Sequence, residues 1–289
     1  MVRRLAAAAA VAGLAFCIVS IWQQWHDARA LQLHWSPGWL IGATLAAAVA
    51  NGLMAAGWAQ LVRAGGGQVS WPEALRVWWA GQLARFVPTG LGSVPGRLVV
   101  GAGAGLPRRL LVTTTAAELA VGAATSAVAA ALLLPGVTGM LLAAFGLAAG
   151  IVAAAVVGGR LLPGHPAVAR ASGYFVAAHA LKVLVRAAGF WAMLHVTTAG
   201  PPAELLAVIG AVGAAYALGL VAVFAPGGIG VREAALAGTL GAMPGGSPAA
   251  VIAAAVLWRL AETAVEPPLL LATRLIASRS ERREAAPLP

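Results

Sequence analysis

The sequence predicts an all-α integral membrane protein. Of its 289 residues, 61% are hydrophobic and only 10% are charged, whereas soluble domains carry roughly 25% charged residues. Six segments are long and apolar enough to cross a bilayer as helices, which takes about 20 residues each. Two further apolar regions are interrupted by Pro and Gly, so we expect two re-entrant broken-helix hairpins beside the six full spans.

The predicted spans follow one another along the whole chain. The basic and apolar N-terminus could pass for a signal peptide, but we interpret it as a retained first span because many apolar segments follow it. The single cysteine, Cys17, excludes an internal disulfide, and the bulky Phe16 before it argues against a lipoprotein. The six spans are 5–22, 39–62, 110–134, 138–158, 172–195 and 249–275.

The interrupted regions are 74–104, broken at FVPTGLGSVPG, and 203–243, broken at FAPGGIG. Basic residues occupy alternate connections, as the positive-inside rule requires, only if each region enters and leaves on one side of the membrane. The first hairpin then opens from the cytoplasm, the second opens from outside, and both termini are cytoplasmic. In the alternative, 203–224 crosses completely, which places the basic C-terminal tail outside unless another crossing is added.

The two interruptions repeat one pattern. Residues 86–92 read FVPTGLG and residues 224–230 read FAPGGIG, which share F-x-P-x-G-x-G at a distance of 138 residues. Three predicted spans separate the copies, so the second copy is inverted relative to the first. Broken helices in inverted repeats form substrate sites near the bilayer midplane. We predict one transmembrane domain, 1–278, with repeat halves of about 1–135 and 136–278, and a short charged cytoplasmic tail, 279–289.

Charged residues inside the predicted spans suggest a buried site. Lys182 and Arg186 lie one turn apart on a span that carries no acid, so they need an external anion or acids from other helices. A phosphate meets this need, since Arg forks match its oxygens and Lys supplies a point charge. Arg232 or Arg259 with Glu262 is a plausible buried pair, which in the simpler interpretation only fixes helix register.

The Pro and Gly of the breaks suit the same site. Gly lets the backbone approach a head group, and a half-helix that begins after PGGIG points free N–H groups at an anion. In the simpler interpretation, the Pro and Gly residues only permit the bend of the hairpin. Arg232 is the leading phosphate contact, with Glu233 as its counter-charge. The predicted charge-pairing or proton-coupling residues are Glu118, Glu233 and Glu262. The predicted substrate-binding residues are Arg85, Pro88, Gly90, Arg97, Lys182, Arg186, Pro226, Gly227, Gly228, Gly230, Arg232 and Arg259.

Other classes of protein are disfavoured. The net charge of +10 is explained by membrane orientation and anionic lipid, so we expect no nucleic-acid partner. No H-E-x-x-H, G-x-S-x-G or paired Cys occurs, and we expect no enzyme activity, no metal and no cofactor. Trp78 and Trp79 in the first hairpin are candidates for lining a lipid path.

PGGIGVRE, from Pro226 to Glu233, resembles a signature of the flippase-like membrane family, whose best-known member is the transmembrane flippase region of bacterial lysylphosphatidylglycerol synthases. GQLARFVPTGLGSVPGR, residues 81–97, is similar to that family's other motif. The resemblance covers nearly the whole chain. Since no soluble aminoacyl-transferase domain follows, it implies lipid movement or lipid handling rather than lysyl transfer.

These features make a lipid flippase or transporter of the cell (cytoplasmic) membrane the leading hypothesis. The expected substrate is an anionic, phosphate-bearing lipid, such as a phospholipid or a polyprenyl-phosphate-linked glycan, bound between the two hairpins. One alternative is a non-transporting lipid-binding or scaffold subunit that partners a transferase of glycolipid or phospholipid synthesis. Another is a membrane-embedded transferase that uses Glu118 or Glu262 as a base.

Overall fold

The structure, a computed structural model, describes most of the chain from residue 33 to residue 284. The predicted span 5–22 and most of the predicted span 138–158 lie outside the described residues. No strand occurs in the described part. The described residues are 33–83, 93–133, 166–198, 203–222, 230–284, Gly228 and four single positions between 144 and 150.

Nine α-helices lie within these ranges. They are α1 (Pro37–Ala64), α2 (Trp71–Leu83), α3 (Ser93–Gly103), α4 (Arg108–Leu133), α5 (Pro166–Thr197), α6 (Leu205–Val221), α7 (Val231–Leu240), α8 (Pro248–Ala264) and α9 (Glu266–Glu284). Four stretches are long and apolar enough to cross a membrane, namely Pro37–Ala64, Arg108–Ala131, Ala167–Thr197 and Pro248–Ile276. They coincide with four of the six predicted spans. The chain is therefore an all-helical membrane protein over its described part.

The outward faces of the long helices are apolar. On α1, Ile41, Leu45 and Val49 are each more than half exposed, at 60%, 60% and 51%. They follow one another at four-residue steps, so they form one continuous stripe along the helix. A bilayer solvates such a stripe, whereas water does not.

The helices α1 and α5 form the centre of the bundle. They run antiparallel, because the His34 N–H donates to the Val196 carbonyl at one end (2.8 Å) while Gly57 packs against Phe175 farther along. Alanines such as the fully buried Ala47 lie in the bundle interior. Small residues of this kind let helix backbones approach closely without a hydrophobic driving force between them.

Each interrupted region contains two helices that pack against each other, α2 against α3 and α6 against α7. The helices α2, α3 and α7 have 13, 11 and 10 residues, or about 15 to 20 Å each, which is shorter than the roughly 30 Å hydrocarbon core. The helix α6 has 17 residues and extends about 26 Å. The breaks themselves, 84–92 and 223–227, lie outside the described residues, so their placement in the membrane stays a prediction.

The predicted span 249–275 is divided into two helices, α8 and α9. Pro267 and Pro268 follow the first residue of α9 and explain the division, since proline has no N–H to donate and is tolerated only in the first turn of a helix. The division was not predicted, although the two prolines indicate it in the sequence. The helix α9 continues through the first six residues of the predicted tail, 279–289.

Two large apolar clusters and a small third one, formed by alanines of α4 and α6, fill the described bundle. The first joins the second half of α1 to α2, α4 and the start of α5, around Trp58 and Phe175. The second joins the first half of α1 to the end of α5, α6, α7 and α8, around Phe190 and Trp258. The middle of α5 lies between the two large clusters, and His179, Lys182 and Arg186 are found there.

Candidate functional site

Lys182, the only lysine of the chain, points into the bundle from α5 and is 5% exposed. Gly122 on α4 lies beside it, since a Cβ at Gly122 would be in ordinary van der Waals contact with Lys182 Nζ, at 3.7 Å. Lys182 forms no hydrogen bond or ion pair with any described residue. Because a buried charge without a counter-ion is costly, this position favours an anion.

Arg186 lies one turn farther along α5 and pairs with Glu262 of α8. Its Nε is 2.9 Å from Glu262 Oε1 but is not aligned to donate a hydrogen bond, and its Nη2 is 3.4 Å from Asn51 Oδ1 of α1. The Tyr216 hydroxyl of α6 lies 2.9 Å from both oxygens of Glu262 and donates to this carboxylate. Trp258 Nε1 in turn donates to the Tyr216 hydroxyl at 3.3 Å. Side chains from four helices therefore hold one carboxylate and one arginine in place.

Arg232 reaches the same tyrosine from α7. Its Cζ lies 4.2 Å from the centroid of the Tyr216 ring, and the Cζ of Arg186 lies 4.4 Å from it. The Arg232 side chain passes against two glycines, because a Cβ at Gly219 would come within 2.6 Å of Arg232 Nε and a Cβ at Gly228 within 2.9 Å. Gly228 also has a φ of +70°, which glycine adopts at little cost. The two glycines therefore create the slot in which Arg232 lies.

Glu233 lies in the first turn of α7 and does not pair with Arg232. One of its oxygens accepts the Gly230 N–H at 2.7 Å, and the other is 2.6 Å from Arg259 Nη2 of α8. Neighbouring residues on a helix do not face each other, which is why Glu233 and Arg232 find different partners. The structure thus differs from the predicted pairs, since Arg259 pairs with Glu233, whereas Glu262 is the partner of Arg186.

A second buried pair joins α3 to α4. Arg97 is 1% exposed, and its two terminal nitrogens lie 2.6 and 3.0 Å from the two oxygens of Glu118. Trp78 of α2 donates to Glu118 at 3.1 Å, and the Arg97 Cζ lies 5.2 and 5.6 Å from the ring centroids of Trp78 and Trp58. Trp78 and Trp79 are both buried in the bundle. Their role in lining a lipid path stays a prediction.

A narrow crevice lies beside Lys182 and Arg186 of α5. Its free space is too small for a water molecule, so the site is closed in this structure. A ligand can enter only if α4, α5 and α6 move apart. The crevice is lined by Ser126 of α4, by Lys182, Val183 and Arg186 of α5, and by Val212 and Tyr216 of α6.

Several buried N–H donors find no acceptor among the described residues. These groups cannot accept a hydrogen bond, and leaving one unsatisfied in the interior costs about 1–3 kcal/mol. Each of them belongs to a buried arginine or to a side chain that lies beside one. Surplus donors beside surplus cations indicate a place for an anion with several oxygens. The four donors are Asn51 Nδ2, Trp58 Nε1, Arg97 Nε and Arg232 Nε.

The predicted site residues separate into four groups. Lys182, Arg186 and Arg232 come together with Glu262, and Gly228 forms part of the slot for Arg232. Arg97 with Glu118, and Arg259 with Glu233, form two further pairs. Gly230 contributes only its N–H to Glu233. The residues outside the described part of the chain are Arg85, Pro88, Gly90, Pro226 and Gly227.

Asn51 and Tyr216 complete the site but were not among the predicted residues. Asn51 is the only asparagine of the chain and lies in the middle of a predicted span, and Tyr216 is one of two tyrosines. A polar side chain inside an apolar span is a signal that identifies such residues in a sequence. Gly219 gives no comparable signal, because its role depends on the side chain of Arg232, which belongs to another helix.

No protein-family model matches the chain, and no curated protein matches it. Among the described residues, no group of three His, Cys, Asp or Glu side chains is placed to hold a metal ion. The class of the protein therefore follows from its own fold and site. It is a helical membrane protein whose interior holds a cluster of cations around Tyr216.

Proposed function

We propose that the protein is a lipid flippase or transporter that binds the phosphate of an anionic lipid at Lys182, Arg186 and Arg232. One observation carries the proposal. Lys182 is buried without an ion pair to a described residue, near buried N–H groups of Asn51 and Arg232 that lack acceptors among the described residues. A phosphate group supplies both the negative charge and the oxygens that these groups need.

The position of the site favours a lipid over a soluble anion. Lys182 and Arg186 lie within Ala167–Thr197, and Glu262 lies within Pro248–Ile276, two of the four apolar stretches long enough to cross a bilayer. A lipid head group carries its phosphate on apolar chains, which suit the exposed apolar faces of these helices. The substrate class is a phospholipid or a polyprenyl-phosphate-linked glycan. The likeness of PGGIGVRE to the flippase-like membrane family supports the same substrate class.

The proposed architecture in the cell membrane has six spans and two re-entrant hairpins, with both termini in the cytoplasm. The short arms α2 and α3 pack against each other, as do α6 and α7, which supports the hairpins. The antiparallel pairing of α1 with α5 supports the order of the spans. The proposal assigns no catalytic residue. Transport would be downhill or coupled to an ion gradient, with Glu118 or Glu262 as proton carriers.

Lipid binding to the purified protein tests the proposal. Delipidated protein in detergent is titrated with short-chain phosphatidylglycerol and, in parallel, with diacylglycerol, which lacks the phosphate, and bound lipid is counted by native mass spectrometry. We expect phosphatidylglycerol to bind and Lys182→Gln to weaken it about tenfold or more, since a hydrogen bond to a charged group contributes about 1.5–3 kcal/mol.

Arg109→Gln is the matched control, because it removes one positive charge at an exposed position in the first turn of α4. We expect this variant to bind like the unmodified protein. Equal binding of phosphatidylglycerol and diacylglycerol, or equal weakening by Lys182→Gln and Arg109→Gln, would contradict the proposal.

A further inference from the structure

The two interrupted regions match over a longer stretch than the motif F-x-P-x-G-x-G. Trp78 and Gly81 of α2 correspond, 138 residues later, to Tyr216 and Gly219 of α6. In both regions the aromatic residue and the glycine therefore lie on the first helix, three residues apart on one face.

The corresponding residues make corresponding contacts. The Arg97 side chain passes over Gly81, where a Cβ would lie 2.1 Å from Arg97 Cγ, just as Arg232 passes over Gly219. Each aromatic side chain also donates a hydrogen bond to a buried glutamate of a later long helix. Trp78 donates to Glu118 of α4, and Tyr216 donates to Glu262 of α8.

The two sites differ in how the arginine is neutralised. Arg97 is held by both oxygens of Glu118. At the site around Tyr216, Arg186 of α5 pairs with Glu262, and Arg232 forms no ion pair with a described residue. The carboxylate of Glu118 therefore occupies, at Arg97, the kind of position that is left for an external anion at Arg232.

The site around Arg97 still has N–H donors that Glu118 does not satisfy. Arg97 Nε and Trp58 Nε1 are buried and have no acceptor among the described residues, and the ring of Trp58 lies beside the Arg97 guanidinium. A carboxylate has two oxygens, both of which already face the terminal nitrogens of Arg97. A phosphate has more oxygens and so has further acceptors for these two donors.

We propose that Arg97 is a second phosphate-binding position, which Glu118 closes as an internal ligand. A phosphate-bearing head group that displaces Glu118 there takes over its place on Arg97 and reaches the free N–H groups of Arg97 and Trp58. This inference rests on the proposed function, since it assigns the same ligand chemistry to the corresponding site of the other half of the chain.

The number of bound phosphate groups tests the inference. In the titration with short-chain phosphatidylglycerol, the unmodified protein binds one molecule, and Glu118→Gln, which frees Arg97 at nearly constant side-chain shape, binds two. Adding Arg97→Gln or Trp58→Phe to Glu118→Gln removes or weakens the second molecule. A parallel titration with inorganic phosphate separates lipid binding from binding of the free ion, and uptake of phosphate alone assigns the position to the ion.

Folding is monitored by size-exclusion chromatography. If Glu118→Gln is not monodisperse, the count is made on Glu118→Asp, which keeps the charge but shortens the side chain, and the second molecule is expected at higher lipid concentration. A folded Glu118→Gln or Glu118→Asp that binds a single lipid overturns the inference. Failure of the proposed function gives a different result. In that case the unmodified protein binds no phosphatidylglycerol, and Arg232→Gln does not change this.

Discussion

Tyr216 contacts Glu262, Arg186 and Arg232 through two different parts of its side chain, the hydroxyl and the ring. Its hydroxyl donates to Glu262, which orients that carboxylate toward Arg186. The centroid of its ring lies 4.4 Å from the Cζ of Arg186 and 4.2 Å from the Cζ of Arg232, where the negative face of the ring attracts cations. The ring thus lets two arginines share a small space without a second carboxylate between them.

Gly219→Ala tests whether the slot for Arg232 matters. The added methyl group would come within 2.6 Å of Arg232 Nε, so the arginine must leave the Tyr216 ring. We expect phosphatidylglycerol to bind about tenfold more weakly, equivalent to about 1.4 kcal/mol, as measured in the native mass spectrometry titration. Gly238→Ala on α7 is the control, because a Cβ there meets nothing within 4 Å. Equal affinities of the two variants would contradict this role of Gly219.

At the scale of the helices, the long apolar elements could be predicted from the sequence, whereas their ion pairs could not. Stretches of about twenty predominantly apolar residues predict α1, α4 and α5, because a bilayer requires that length. The partner of Glu262 depends on how α5 and α8 are rotated about their axes, which the sequence period alone does not set. That is why Arg186 was not predicted as its partner, and why Asn51 of α1 was not included in the site.

The hairpins make a prediction about single cysteines that flank the interrupted regions. In a Cys17→Ser background, Glu204→Cys and Ala242→Cys should react with a membrane-impermeant maleimide on intact cells. Gln68→Cys and Pro107→Cys should react only after permeabilisation, because the first hairpin opens from the cytoplasm. The four positions are exposed in the structure, so lack of reaction reports the membrane side.

Labelling of Glu204→Cys and Ala242→Cys from opposite sides would contradict the second hairpin. It would show that 203–224 crosses completely, which is the alternative topology, and α6 with its 17 residues is close to the minimum length for that crossing. The same outcome at Gln68→Cys and Pro107→Cys would contradict the first hairpin.

At the scale of the whole molecule, the described helices enclose a buried cationic centre. The crevice beside Lys182 is too small for a water molecule, so the proposed transport would need a second arrangement of the helices around α5. We expect the two interrupted regions to be the moving parts of the proposed transporter, because each brings a short helix with an arginine against the long helices. Movement of one repeat against the other is the usual way in which inverted repeats expose a site to alternate sides.

Lipid flipping in reconstituted liposomes tests the central claim most directly. Liposomes that contain fluorescent phosphatidylglycerol or a fluorescent polyprenyl phosphate are prepared with the unmodified protein, with Lys182→Gln, with Arg109→Gln and without protein. We expect the unmodified protein and Arg109→Gln to accelerate the movement of at least one of these lipids between leaflets, and Lys182→Gln to lose most of that acceleration. Equal rates in all four preparations for both lipids would contradict the account and favour a lipid-binding or scaffold subunit that does not transport.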